Sequence, residues 1–171
     1  MSVATGLLIV RLLIGTAMSA HGAQKLFGWF GGYGLKGTGG FLEGLGFRPG
    51  VTFAALAGLS EFAGGLLVGL GLLTPLGAAA VLSAMIVAAV SVHLQNGFFA
   101  MSNGIELPYL YGAAALALII SGGGGYSLDA QLGITFFSQA HFSIGLIVLA
   151  IVAALASLAV RRQPAAQTSA T

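Results

Sequence analysis

Glu61 stands alone in an apolar run. From position 51 to 73 the chain reads VTFAALAGLSEFAGGLLVGLGLL, with no other charge. At ~1.5 Å of rise per residue, a run of that length crosses ~30 Å of hydrocarbon. A carboxylate at that depth persists only where it faces a protein interior, a water-filled pocket or a partner. Two readings stay open: a protonated Glu bonded to a neighbouring helix, or a working acid/base group. Arg11, His21, Gln24 and Lys25 lie upstream, and His93, Asn96, Asn103 and Glu106 downstream. Histidines that titrate near neutral pH beside a carboxylate suit general acid/base chemistry. Glu61, His21 and His93 are therefore the candidate catalytic group. Arg11, Gln24, Lys25, Asn96, Asn103 and Glu106 are candidate ligand-binding residues, able to hydrogen-bond a quinone carbonyl or hold a small anion such as an oxo-sulfur species. Two histidines and a carboxylate could also ligate a metal, but their spacing gives no local ligand motif, and no metal site is assigned. His141 stands apart and reads as interfacial. Asp129 reads as a cap or anchor for a short segment.

The elements that must position these groups are apolar helices. Five segments read as transmembrane: about 4–27, 51–73, 75–95, 107–121 and 142–160. Pro75 opens the third in the favourable first-turn position. The fourth is short. Helices two and three share a hinge of Leu73, Thr74 and Pro75, so they form an antiparallel hairpin. Glu61, Gly65 and Gly69 recur every fourth residue, and this stripe would let another helix approach closely. Arg11, Lys25 and the adjacent His21 share one face of the first helix. Helices one and three end on the side where helix four begins, which gathers His21, Gln24, Lys25, His93, Asn96, Asn103 and Glu106 at one bundle end. Glu61 and Arg11 are expected deeper, paired with each other or with the histidines. Residues 28–50 hold ten glycines and five aromatics. They read as an ordered surface loop that roofs this end, without the pattern of a phosphate loop. The tail 161–171 reads as polar, and as disordered from Gln163 onward.

Composition bounds the rest. Of 171 residues, 57% are hydrophobic and 6% charged, against roughly 25% charged in soluble domains. The chain is an integral membrane protein, and the bilayer is its first partner. With no cysteine, disulfides, thiolate metal sites and iron–sulfur clusters are excluded within it. A net charge of +2 spread over few residues gives no case for nucleic acid. The N-terminal run lacks a preceding Lys or Arg and is interrupted by Arg11, so it reads as a retained helix rather than a cleaved signal. Lys25, Lys36, Arg48, Arg161 and Arg162 fall on one side. This favours an external N-terminus and a cytoplasmic C-terminus.

The stretches His21-Gly22-Ala23-Gln24-Lys25-Leu26-Phe27-Gly28, Phe30-Gly31-Gly32, Gly44-Leu45-Gly46-Phe47, Glu61-Phe62-Ala63-Gly64-Gly65 and Gly71-Leu72-Leu73-Thr74-Pro75 resemble the DoxX family of small bacterial membrane proteins. So do His93 with Asn96-Gly97-Phe98-Phe99, Asn103-Gly104-Ile105-Glu106, and Ser127-Leu128-Asp129. The resemblance implies an all-α, polytopic membrane helix bundle with a four-helix core, to which the fifth helix is a C-terminal addition. It implies the bacterial cytoplasmic membrane. It places Arg11, His21, Gln24, Lys25, Glu61, His93 and Glu106 on family-motif positions. Gly122–Gly125 departs from a Gly-Pro-Gly-Arg-like family stretch. Some relatives are named as subunits of a thiosulfate:quinone oxidoreductase, and others as membrane partners of oxidative-stress enzymes. The implied function is a subunit of a membrane oxidoreductase system, with protein partners, that handles a quinone or a small redox solute. The alternatives are a non-catalytic membrane anchor of a redox or respiratory complex, and a small-solute carrier.

Overall fold

A computed structural model describes residues 2–136 and 139–162. It is all-helical, and no strand occurs among the described residues. The expected tail from Gln163 onward lies outside them.

Helix α1 (Val3–Phe27) starts at Ser2, whose hydroxyl caps the Thr5 N–H, and stops at Gly28 in the left-handed conformation. Helix α2 (Gly34–Gly44) lies inside the glycine-rich stretch expected as a loop. α3 (Gly50–Leu70) and α4 (Thr74–Ala88) form the hairpin. α4 continues through a π-helical turn (Ala89–His93) and a 3-10 turn (Leu94–Asn96), so this span runs Thr74–Asn96. α5 (Glu106–Ser121), the short α6 (Leu128–Gln131) and α7 (Ala140–Ala159) follow. Four of these helical spans are long and apolar enough to cross a membrane, and α5 is apolar but shorter. The bundle therefore has a Lys25 end and an Arg11 end.

In lipid, apolar side chains gain nothing by leaving the solvent, so helices associate by close packing. α1 and α3 pack backbone to backbone. A Cβ on Gly15 would lie 2.6 Å from the Gly69 Cα, and one on Gly65 would lie 2.6 Å from the Ser19 N. One on Gly22 would lie 2.6 Å from both the Gly58 O and the Phe62 Cα. The stripe carrying Gly65 and Gly69 is thus where α1 seats. Met18, Val68, Val81, Leu118 and Ile119 fill the centre. α7 packs on α4 and α5 through Ala150, Ala154 and Ser143. The Ser143 hydroxyl donates to the Ile119 carbonyl at 3.0 Å.

Both ends are tied. At the Arg11 end, the Asp129 carboxylate accepts from the Leu73 N–H (2.6 Å), the Thr74 N–H (2.9 Å) and the Thr74 hydroxyl (2.8 Å). Asp129 is indeed an anchor, but the helix it caps is α4; its own short helix α6 is capped by Ser127. Capping from a distant segment satisfies donors that a helix start leaves unpaired. At the Lys25 end, the Arg161 side chain donates to the Leu45 carbonyl, and the Arg162 N–H to the Gly46 carbonyl at 2.9 Å. The end of α7 is pinned to the stretch between α2 and α3.

Candidate functional site

Glu61 is 3% exposed, on the face of α3 turned to α1. Lys25, in the last turn of α1, donates to its carboxylate at 2.5 Å. Gly58, one turn before Glu61, makes the approach possible. A Cβ there would lie 2.7 Å from the Leu26 Cδ2 and 3.3 Å from the Lys25 Cβ. The lysine stem lies over that glycine and delivers its ammonium inward. The residue paired with Glu61 is therefore Lys25.

Arg11 is not in this group. Arg11 and Lys25 are fourteen positions apart on α1, or ~21 Å along the helix axis. Arg11 is 1% exposed, and its Nη2 donates to the Tyr126 carbonyl at 2.8 Å. Its guanidinium occupies the space beside Gly71, and Asp129 supplies the nearby opposite charge. The expectation that Arg11 balances Glu61 is corrected: the two share the α1–α3 interface but sit at different depths.

The π-helical turn places His93. Its Nδ1 bonds the Asn103 carbonyl at 2.8 Å. A carbonyl only accepts, so Nδ1 carries the proton and Nε2 is the lone-pair nitrogen of the neutral ring. The His21 Nδ1 likewise donates to the Gln24 Oε1 at 3.3 Å. The Gln24 Nε2 donates to the Phe30 carbonyl, which fixes the amide orientation. His21 also meets the Tyr111 ring edge-on, with centroids 6.0 Å apart. Asn96 donates to the Asn103 carbonyl, and Glu106 accepts from the Ala100 N–H at 2.7 Å. These two side chains shape the loop between α4 and α5.

Two cavities meet at the ion pair. The larger, of about 250 Å³, lies between α2, α3, α4 and the end of α7. Phe41, Leu42, Phe47, Phe53 and Leu56 line it, with Ser60 and Ser91 as further polar groups. The smaller, of about 170 Å³, is bounded by Met18, His21, Met85, Asn103, Pro108 and Tyr111. Lys25, Glu61, Ala88 and His93 line both. Lys25 also borders an outer cleft with Gln24, Tyr33 and Thr38. Sequence reasoning missed Tyr111, Phe47 and Ser60. Ser60 adjoins the buried carboxylate, and Tyr111 follows Pro108 by three residues. Phe47 carried a signal as one of the five aromatics of residues 28–50. Among the described residues, no group of three His, Asp or Glu side chains has metal-site geometry.

A family model described as DoxX matches residues 6–94. The chain belongs to the DoxX family. The DoxX match runs from the first turns of α1 to the residue after His93, so it contains Arg11, His21, Gln24, Lys25, Glu61 and His93. It stops short of Asn96, Asn103 and Glu106. The DoxX core thus carries the ion pair and both histidines. No curated protein and no solved structure matches the chain.

Proposed function

We propose that this DoxX-family membrane protein is a quinone-handling subunit of a membrane oxidoreductase system, with the larger cavity as the quinone site. The observation that carries the reading is a part-buried Lys–Glu pair, its carboxylate buried, and a histidine at one wall of a largely apolar cavity. A quinone needs an apolar slot for its ring and a few placed donors for its carbonyls. Phe41, Phe47 and Phe53 supply the slot. The Lys25 ammonium supplies a charged donor, stronger than a neutral one. Glu61 and the His93 Nε2 are groups that exchange protons next to it. With no cysteine in the chain, electrons reach such a quinone through a partner subunit.

The protein purified in mild detergent should retain endogenous quinone, detected by solvent extraction and mass spectrometry. It should rebind ubiquinone-1 after delipidation. Lys25→Met should abolish both. Wild-type protein that neither retains nor rebinds a quinone would refute the reading. We place the Lys25 end on the cytoplasmic side, because Lys36, Arg48, Arg161 and Arg162 accompany it.

A further inference from the structure

We infer that the Lys25–Glu61 pair is an exchangeable latch: a ligand oxygen takes the place of the Glu61 carboxylate on the Lys25 ammonium, and Glu61 takes up a proton as it lets go. This rests on the quinone reading and specifies how that site admits its ligand. The first support is position. The same pair, with Ala88 and His93, lines both cavities, so these four residues form the partition between them, and the ion pair is its movable part. Once it opens, the two become lobes of one chamber.

The second support is asymmetry. The Lys25 side chain is 30% exposed, whereas that of Glu61 is 4% exposed. Lys25 also borders the outer cleft. Its flexible stem can swing between neighbours, while Glu61 is fixed on a helix packed backbone to backbone against α1. Among the described residues, no second donor meets the Glu61 carboxylate.

The third support is electrostatic. A charged carboxylate left buried without a partner costs more than one hydrogen bond to a neutral carbonyl returns. A quinone therefore cannot capture Lys25 while Glu61 keeps its charge. Protonation removes that penalty, so capture and proton uptake occur together. The ionisable groups facing Glu61 across the two cavities are Lys25 and His21 from α1, His93 from α4 and Tyr111 from α5. α2 and α7 present Thr38 and Ser157 there, neither ionisable.

The test is titration calorimetry of the detergent-solubilised full chain with ubiquinone-1, at one pH, in buffers of different ionisation enthalpy. The slope of the observed heat against that enthalpy gives protons bound per ligand. Wild type should take up about one proton per quinone. Glu61→Gln keeps the volume and an acceptor for Lys25; it should still bind quinone, with uptake falling to about zero. Saturable wild-type binding without proton uptake would overturn the latch and leave the quinone site standing, with no variant needed. Uptake that persists in Glu61→Gln would also overturn it, by assigning the proton elsewhere. Absence of saturable wild-type binding would sink the quinone reading and the latch together.

Discussion

Replacing Gly22 with alanine tests the contact on which the site is built. The new Cβ would lie 2.6 Å from both the Gly58 O and the Phe62 Cα, and would also press on the Phe62 N. Ordinary carbon contacts begin near ~3.5 Å, and all three obstacles are backbone on a packed helix. α1 and α3 must separate locally by about 1 Å. Such overpacking costs ~1–3 kcal/mol. Lys25 lies three residues after Gly22, so the same displacement stretches its 2.5 Å contact with Glu61 toward ~3.5 Å, the outer limit of a hydrogen bond. Gly22→Ala should therefore lose stability and weaken quinone binding together. The control is Gly6→Ala on the same helix, where a Cβ meets nothing within 4 Å. There, improved helix propensity should leave stability unchanged or raise it by up to ~1 kcal/mol. Equilibrium unfolding in mixed micelles reads both variants. If Gly22→Ala matches wild type within ~0.5 kcal/mol, the backbone contact between α1 and α3 is not what holds the pair.

At the opposite end, Asp129→Ala strips three hydrogen bonds from the start of α4 and the compensating charge from Arg11. It should destabilise by ~3–5 kcal/mol, and Asp129→Asn by ~1–2 kcal/mol, measured by the same unfolding. Arg161→Gln removes the bond to the Leu45 carbonyl and the guanidinium stacked 5.9 Å from the Phe47 ring centroid. Chymotrypsin should then cut faster after Phe47, with little change in global stability. Reporter fusions after Gly40 and at Thr171 should both read cytoplasmic; opposite readings would break the five-span count.

Glu61 was legible because one charge in a long apolar run has few physical excuses. Its partner was not. Helical angles put Arg11 and Lys25 on one face, but an angle carries no depth, and ~21 Å along the helix decides which residue reaches Glu61. A close helix contact on α3 was visible as Gly65 and Gly69 beside Glu61, since glycine at four-residue spacing invites a backbone; that α1 makes it was not. α2 was hidden by its own composition. Gly34, Gly37, Gly39, Gly40 and Gly44 oppose helix formation locally, and the helix is held by tertiary packing of Gly39 against Val51. The π-helical turn that aims His93 left no trace, because one extra residue in a turn does not alter an all-apolar pattern. Asp129 was recognised as a cap, but which helix it caps depends on a contact 55 residues away in sequence.

That long-range cap sets an order of assembly. As the chain leaves the ribosome, α3 and α4 enter the bilayer with the turn between them unfinished. Leu73, held in the left-handed conformation, and Thr74 wait for an acceptor 56 and 55 residues downstream. At ~5–20 residues per second, that acceptor is made several seconds later, after α5 has emerged. Arg11 waits as well, since Tyr126 lies 115 residues beyond it. The first three spans thus spend their early life as a loosely closed precursor, and synthesis of the segment around Asp129 is the event that locks them.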